Sequence, residues 1–389
     1  MKHAYKGKLA LLAGAFLLAF TAPVLAKENV KLAFIGPLTG GNSAIGLGGR
    51  NSAELAVTLA NANPKSKYHY QLVTYDGACK PDVAVRVATK AGADPSIIAG
   101  ITNYCSTAAL AAVPVYHKFQ FPIVVWGAVL PDITYGNNFP EIHRVDGTMI
   151  NQNEVNAKFI TGQGYKTFVI IHDTTAYGKG HAKYFTKYLD QDGGKILATF
   201  GVGPDQQDFT AILTKIKGLN PQVVYFGGLT PVGVRIRSQM DKLGIQAQLD
   251  GTTGILNDSF ITALGPLAKG TLAIGGGAPL KDLPGGKYFL KEYSEQHYKD
   301  PPEAYGPFAF AATDLVIHAV ETVGPDRKKV TAELGKTKDY DSILGPITFD
   351  SHGQNSVPVM TVYVVQNGKW MPWKDSDYAS GKLKLAGQK

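Results

Sequence analysis

The sequence predicts an α/β protein of two similar lobes, each a parallel sheet with helices on its faces. Two observations lead to this prediction. Short apolar strands alternate with helical segments between residues 27 and 275, and the alternation pauses and restarts near residue 146. Such alternation is typical of parallel sheets, and a chain of 389 residues is too long for one ordinary core.

Residues 1–26 have the features of a cleavable signal peptide. Lys2, Lys6 and Lys8 precede the apolar run "LALLAGAFLLAFTA", and Val24 and Ala26 fit a cleavage site. An uncleaved anchor helix is the alternative, but the polar "KEN" that follows favours cleavage. No later stretch is long and apolar enough to cross a bilayer. We therefore expect a soluble protein that is exported to the periplasm.

The first run of elements has a regular order. Its predicted strands cover 31–35, 70–76, 97–100 and 122–127, and its predicted helices cover 50–62, 83–93 and 108–119. A glycine-rich loop, "GPLTGGNSAIGLGG", separates the first strand from its helix. Pro114 falls inside the third helical pattern, and we expect it to kink or end that helix because proline has no amide proton.

The second run repeats this order. Its predicted strands cover 166–173, 195–202, 222–228 and 247–254, its helices cover 181–194, 205–219 and 231–244, and "TTAYGKG" (174–180) is a predicted loop. Helices at 286–298 and 307–323 then precede a hairpin-like β segment, and the polar residues 375–389 are expected to fray. We place one lobe at 27–145 plus about 276–350, and the other at 146–275 plus about 351–389.

Composition and charge exclude nucleic acid as a partner. The chain has 44% hydrophobic and 18% charged residues, which is ordinary for a globular protein. Its formal charge of +8 falls to +5 once the three leader lysines are subtracted. The lysines are scattered, and no basic run alternates with aromatic residues, so nucleic-acid binding is not predicted.

The chain has two cysteines, Cys79 and Cys105. In an oxidising compartment we expect them to pair as a structural disulfide. Two buried free thiols, or one reactive thiol, are the alternatives that the sequence leaves open.

Signatures of catalysis and of metal binding are missing from the sequence. It contains neither a G-x-S-x-G elbow nor H-E-x-x-H, and "GLGGRN" lacks the ending of a phosphate-binding loop. The spacing of "GGNSAIGLGG" is wrong for a dinucleotide site, and the nine histidines are dispersed. His172 and His181 are the closest pair in the mature chain, but no nucleophile and base accompany them. We predict a protein that is not an enzyme, with neither cofactor nor metal.

Polar turns follow the predicted parallel strands. In open α/β sheets ligands bind at this edge, and amide groups at helix starts favour an anion such as a carboxylate. The alternative is that each hydroxyl is only a helix cap, but turns on both lobes are better explained by a ligand cleft. The turns are "GPLTGGNSAIG", "TNYCST", "WGAVLPD", "DTTAYGKG", "GGLTPVG" and "DGTTG".

An ordered set of motifs resembles the periplasmic Leu/Ile/Val-binding family, the solute receptors of ABC importers. The motifs are "KLAFIGPLTGG", "YDGACKPDVAVRVATKA", "NYCSTAA", "IIHDTTAYGKG", "VVYFGG" and "PITFDSHGQ". The resemblance implies a type I periplasmic binding fold with a three-strand hinge, and a disulfide at Cys79 and Cys105. It implies a monomer that binds a small carboxylate between its lobes and delivers it to an ABC permease in the inner membrane.

The resemblance also assigns binding roles. Ser106 and Thr107, with the backbone of Ala128 and Val129, would hold the ligand carboxylate. Tyr177 would close on the ligand from the second lobe. Further candidate residues would line the pocket for the rest of the ligand, and these are Tyr104 and Tyr305.

Three positions depart from the family pattern. Thr253 stands where the family has an acidic residue for an α-ammonium, Leu229 replaces a tyrosine, and Ile45 replaces an aromatic residue. An unpaired buried ammonium costs several kcal/mol, so these departures favour an aromatic or branched acid without an α-amino group. A branched-chain amino acid stays open, because Asp250 lies three residues from Thr253.

Two other classes of protein remain as alternatives. The same fold serves as the sensing lobe of receptors, which carry an attached signalling or transmembrane segment. An exported α/β enzyme would need a nucleophile and base, which the sequence does not offer.

Overall fold

The computed structural model describes residues 27–356 and 359–388, so the predicted signal peptide lies outside the described residues. The chain builds two large sheets. The first has five parallel strands, which lie side by side in the order 68–76, 28–36, 97–102, 123–125 and 142–144. The second has seven strands in the order 369–372, 360–366, 272–276, 248–251, 223–227, 167–173 and 195–202. The first two of these seven are antiparallel to their neighbours, and the other five are parallel to one another.

We call the first sheet with its helices the first lobe. Its leading elements are Glu28–Gly36 (β1), Ser43–Ala62 (α1), Tyr68–Asp76 (β2), Pro81–Ala93 (α2), Ile97–Thr102 (β3), Ser106–Lys118 (α3), Ile123–Val125 (β4), Asp132–Tyr135 (α4) and Ile142–Arg144 (β5). Later segments return to this lobe and share its core, and they are Gly286–Glu295 (α10), Gly306–Val323 (α11), Arg327–Leu334 (α12), and the small pair Tyr340–Ser342 (β11) and Gly345–Ile347 (β12).

The second sheet with its helices is the second lobe. It comprises Met149–Gly162 (α5), Thr167–Asp173 (β6), Ala176–Gln191 (α6), Lys195–Val202 (β7), Thr210–Leu219 (α7), Val223–Gly227 (β8), Thr230–Lys242 (α8), Gln248–Gly251 (β9), Asp258–Leu264 (α9), Leu272–Gly276 (β10), Met360–Gln366 (β13) and Lys369–Pro372 (β14). Helices cover both faces of this sheet, and each face has its own apolar core.

Three segments connect the lobes and form the hinge. Residues 145–148 follow β5, 277–279 follow β10, and a third segment precedes β13. The first and third are joined by bonds from Arg144 N to Gly353 O (2.8 Å) and from Asn355 N to Arg144 O (3.0 Å), and Gly277 N donates to Val359 O at 2.9 Å. The α/β class and the three-strand hinge are therefore confirmed, while the predicted residue boundaries of the lobes stay a prediction.

Two helices begin about five to seven residues earlier than predicted, at residues 43 and 176. Helix α1 begins at Ser43 rather than at residue 50, and its first turns contain the glycines that suggested a loop. A Cβ on Gly46 would lie 1.8 Å from Pro37 O, and one on Gly49 would lie 2.8 Å from the Trp126 ring. These glycines therefore permit close packing of a helix. Helix α6 likewise begins at Ala176, inside the predicted loop 174–180.

Helix α3 confirms the helix predicted over 108–119 and continues past Pro114 to Lys118, so the proline does not end it. Other predictions failed in the middle and at the end of the chain. The sequence patterns did not resolve α4, β5 and α5. The C-terminal segment is packed rather than frayed, because Leu385 and Tyr378 are buried in the second lobe and Tyr165 Oη donates to Ala386 O at 2.5 Å. In the part of the chain that the structure describes, no helix has the length and apolarity to cross a membrane.

Candidate ligand-binding cleft

The N-terminus of α3 opens toward the space between the lobes. Its N-cap residue, Cys105, makes no side-chain cap bond, and it is joined in a disulfide to Cys79 with the Cα atoms 5.3 Å apart. The first amide groups of a helix have no partner within the helix. The predicted disulfide is thus confirmed. It anchors the start of a helix whose amide groups can donate hydrogen bonds to an anion.

Ser106, the first residue of α3, is buried and oriented by the loop after β4. Its Oγ accepts hydrogen bonds from Val129 N at 3.1 Å and Leu130 N at 3.3 Å. A serine hydroxyl that accepts two bonds still has its own proton to donate. Ser106 and Val129, which the resemblance paired as a carboxylate grip, therefore lie in direct contact. The amides of Val129 and Ala128 are already paired, with Ser106 Oγ and with Asn103 O at 3.2 Å, so Ser106 has the free hydroxyl proton of this group.

The loop after β4 is held in place by a buried arginine. Arg144 donates from Nη1 to Ala128 O at 2.9 Å and to Leu130 O at 2.7 Å, and from Nε to Gln354 Oε1 at 2.6 Å. Its guanidinium is fully buried, and this burial lowers its pKa to about 10. Arg144 thus links the ligand-facing loop to the hinge.

The start of α6 faces the start of α3 from the second lobe. Tyr177 N donates to Thr107 Oγ1 at 3.4 Å, which joins the two lobes. The Tyr177 hydroxyl donates to Thr252 Oγ1 at 2.9 Å and lies 3.4 Å from Thr253 Oγ1. Burial raises the pKa of Tyr177 to about 12, so the phenol is neutral at ordinary pH. Because both helix N-termini carry partial positive charge, an anion between them would be stabilised by both.

Aromatic side chains form the wall of the cleft on the first lobe. Tyr104 stacks on Trp126 with ring centroids 5.9 Å apart, and Tyr305 meets Tyr104 edge to face at 5.2 Å. A Cβ on Gly127 would lie 3.1 Å from both tyrosine rings, so this position leaves room for them. Such a wall suits an apolar or aromatic ligand body.

A groove of about 750 Å³ runs between the lobes and reaches this wall. The second lobe contributes Thr253 and Gly276 to its lining, and the first lobe contributes Glu303 and Tyr305. Glu303 Oε2 accepts from Asp258 N at 3.2 Å, a second hydrogen bond between the lobes.

Three further residues were considered from the sequence: Ile45, Leu229 and Asp250. Ile45 is buried in the same apolar cluster as Tyr104 and Tyr305. Leu229, the N-cap residue of α8, is half-buried and packs against that cluster; a Cβ on Gly254 would lie 3.1 Å from its Cδ2 and 2.9 Å from the Tyr177 hydroxyl. Asp250 lies fully buried on β9, where Asn156 Nδ2 of α5 donates to its Oδ2 at 2.9 Å. Asp250 is therefore paired with α5 through Oδ2, while its Oδ1 has no partner among the described residues.

Sequence reasoning missed four residues of the cleft region: Trp126, Thr252, Asp146 and Gln152. Asp146 and Gln152 follow β5, whose three residues include the polar His143 and Arg144 and so give no apolar strand signal. Had β5 been recognised, Asp146 would have stood out as a polar residue after a parallel strand. Within 27–356 and 359–388, no three His, Cys, Asp or Glu side chains are grouped to hold a metal ion.

Comparisons with known proteins agree with this architecture. A family model described as periplasmic binding protein matches residues 29–369. The chain is 28% identical over 357 residues to a leucine-, isoleucine-, valine-, threonine-, and alanine-binding protein of Pseudomonas aeruginosa, covering 91% of this chain and 94% of that protein.

Solved structures show the same fold. A leucine binding protein of Thermotoga maritima has a TM-score of 0.80 at 26% identity, covering 88% of this chain and 97% of the other. A solute binding protein of R. palustris, in complex with benzoate, has a TM-score of 0.79 at 19% identity and covers 88% and 95%; at this identity the likeness concerns the fold alone. Since the family model spans nearly all of the described chain, this chain belongs to the periplasmic binding protein family.

Proposed function

We propose that this chain is the solute-binding component of an ABC importer, and that it captures a small organic carboxylate between its lobes. The observation that carries the proposal is the meeting of two helix N-termini across the cleft, with Ser106 and Thr107 on one side and Tyr177 on the other. Amides and a hydroxyl proton converge there on a position suited to an anion. The family consists of binding proteins, which supports binding without catalysis.

The proposed protein works in the periplasm as a monomer after its signal peptide is removed. Ligand binding closes the lobes about the three-segment hinge, and an inner-membrane permease recognises the closed form. The similarity to proteins named for the binding of leucine, isoleucine and valine supports this assignment.

Within the carboxylates, we propose an acid without an α-amino group. Thr253 offers a hydroxyl where the resemblance expects a carboxylate, and Asp250 is bonded to Asn156 beneath the sheet. An α-ammonium would then lack a charged partner at position 253 itself, and Asp146 is the acidic side chain that remains to be tested for this role. A branched-chain amino acid is the second candidate, and the names of the relatives favour it.

The test uses mature protein that has been unfolded and refolded to remove any carried ligand. Thermal shifts are measured with leucine, valine and polar amino acids beside benzoate-type, phenylpropanoid and branched-chain acids. At a thousandfold excess over its dissociation constant a ligand adds about 4 kcal/mol, which raises the melting temperature by several degrees. We expect shifts with acids, a loss of the shift in Ser106→Ala, and no loss in the exposed control Ser294→Ala.

Each outcome bears on one part of the proposal. A shift with amino acids alone would contradict the assignment of the ligand class and leave the binding function standing. A panel in which neither acids nor amino acids stabilise the protein would contradict the binding of small carboxylates itself.

A further inference from the structure

Two buried polar atoms lie unpaired beside the hinge. Asp146 and Gln152 have no solvent exposure, and among the described residues Asp146 Oδ2 and Gln152 Nε2 have no hydrogen-bond partner. The other oxygen of Asp146 accepts from Gly147 N at 2.6 Å, and Gln152 Oε1 accepts from Thr253 Oγ1 at 3.5 Å. Buried polar groups are nearly always paired, so an unpaired acceptor and donor at one place need an explanation.

Both side chains border the space between the lobes. A Cβ on Gly276 would lie 2.9 Å from Asp146 Oδ1 and 3.8 Å from Gln152 Nε2, and Gly276 itself lines the groove between the lobes. The aromatic wall is also near. Burial, followed by the charge of Asp146 and of two tyrosines, raises the pKa of Tyr305 well above its ordinary value.

The absence of a side chain at Gly276 is not explained by its backbone. Gly276 is not among the glycines with positive φ, so its conformation is one that alanine can also adopt. A methyl group there would instead fill the space in front of Asp146 and Gln152. Glycine at this position keeps the two polar groups accessible from the groove.

We propose that Asp146 and Gln152 bind a hydroxyl group of the ligand, which makes the ligand a hydroxylated organic acid. This inference rests on the proposed function, because it requires the ligand to lie in the cleft. A hydroxyl donates one hydrogen bond and accepts others, so it satisfies the Asp146 acceptor and the Gln152 donor together. An ammonium group offers only donors and would leave the Gln152 amide facing a positive charge.

The electrostatic setting of Asp146 agrees with a ligand that donates a hydrogen bond to it. Burial raises the pKa of Asp146 to about 7, against the opposing effects of the Gly147 amide and the Arg144 guanidinium. The carboxyl group is thus poorly solvated, and a hydrogen bond from a ligand replaces solvation that the site does not provide.

The experiment measures calorimetric affinities of ligand-stripped protein for acids that differ by one hydroxyl. The pairs are 4-hydroxybenzoate and benzoate, 3-(4-hydroxyphenyl)propanoate and 3-phenylpropanoate, and 2-hydroxy-4-methylpentanoate and 4-methylpentanoate, with leucine as the amine comparison. We expect at least one hydroxylated acid to bind about 10- to 100-fold more tightly than its partner, because a lost bond to a buried charged group has this effect.

Variants connect that preference to the site. Asp146→Ala and Gly276→Ala are expected to reduce the preference to less than about threefold, while affinity for the acid without the hydroxyl is kept. Asp82→Ala, on the exposed face of α2, is the matched control and should keep the preference. Asp146→Ala removes the acceptor, whereas Gly276→Ala fills the space in front of it. If one variant fails to fold, the other still tests the inference.

Several results would overturn the inference. Equal affinity for the two acids of every pair would mean that water, rather than the ligand, forms the hydrogen bond to Asp146. The proposed function would still stand. Loss of both members of a pair in Asp146→Ala and Gly276→Ala would indicate a structural role. If leucine binds more tightly than every acid, and if this binding is lost in Asp146→Ala, Asp146 is a partner of the ligand ammonium group instead. If neither acids nor leucine bind, the proposed function and this inference both fail.

Discussion

Replacement of Asp250 by asparagine tests whether this buried carboxyl is protonated in the folded protein. Asn156 Nδ2 donates to Asp250 Oδ2 at 2.9 Å, while Asp250 Oδ1 and Asn156 Oδ1 have no partner among the described residues. A proton on Asp250 Oδ1 would allow it to donate to Asn156 Oδ1, which satisfies both atoms at once. Burial correspondingly raises the pKa of Asp250 from 3.8 to about 8. Asparagine has the same shape and supplies the same donor without titrating.

The sign and size of the effect follow from proton linkage. The pKa of Asp250 is 3.8 without burial and about 8 in the folded protein. Between these two pH values the folded protein therefore holds a proton that the unfolded chain has released. The stabilising contribution of Asp250 is therefore complete at low pH and is lost as the pH rises toward 8, by up to about 1.4 kcal/mol per pH unit. Asp250→Asn does not lose this contribution, so its stability relative to the wild type should increase with pH.

The measurement is urea unfolding of the wild type and Asp250→Asn at pH 5, 6, 7 and 8, with the exposed Asp82→Asn as control. Taking the difference between proteins cancels other buried carboxyls with raised pKa values, such as Asp146 and Glu303. A difference that is flat with pH, or that changes in favour of the wild type as pH rises, would mean that Asp250 is ionised in the fold. That result would refute the reasoning and return Asp250 to consideration as an ammonium partner.

Three further substitutions test other parts of the site. Tyr177→Phe removes the hydroxyl that donates to Thr252 Oγ1 at 2.9 Å. We expect the unfolding free energy to fall by about 1 kcal/mol and the ligand affinity measured by calorimetry to weaken. The control Tyr188→Phe should show neither change. Reduction of the disulfide between Cys79 and Cys105, whose sequence separation is 26, should lower the unfolding free energy by about 3.5 kcal/mol; equal urea midpoints with and without reductant would contradict this. Arg144→Met removes buried hydrogen bonds to Ala128 O, Leu130 O and Gln354 Oε1, so we expect a loss of about 3 kcal/mol or more in unfolding free energy. Arg144→Lys should recover little of it because a lysine cannot form the forked set of bonds.

The sequence predicted the sheets well because buried parallel strands consist of apolar runs. Residues 168–171 of β6 and the whole of β8 are buried and apolar. The pattern failed at β5, which has three residues and two buried polar side chains, His143 and Arg144. Hydrogen bonds made by Arg144 to distant backbone groups stabilise this strand, and such long-range partners leave no periodic signal in the sequence.

The site was predictable where it depends on local sequence and not where it depends on tertiary contacts. Ser106 could be placed at a helix start from the motif around Cys105, and the structure puts it there. The alternative that hydroxyls in these turns act as caps also holds at two positions, because Thr175 and Thr252 each cap the turn that follows. That Asp250 points beneath the sheet toward Asn156 depends on the placement of α5, which no local pattern reveals.

The contacts between the two lobes bear on how the cleft closes. Few polar bonds join the lobes near the proposed ligand position; they include Tyr177 N to Thr107 Oγ1 at 3.4 Å and Asp258 N to Glu303 Oε2 at 3.2 Å. The N-termini of α3 and α6 face each other with the same partial charge, which by itself opposes their approach. A carboxylate between them changes this repulsion into two attractions of about 0.3–1 kcal/mol or more each. Since a ligand shifts a conformational equilibrium only through its different affinity for the two states, we propose that the charge of a bound carboxylate favours closure, because it lies near both N-termini only when the lobes are close.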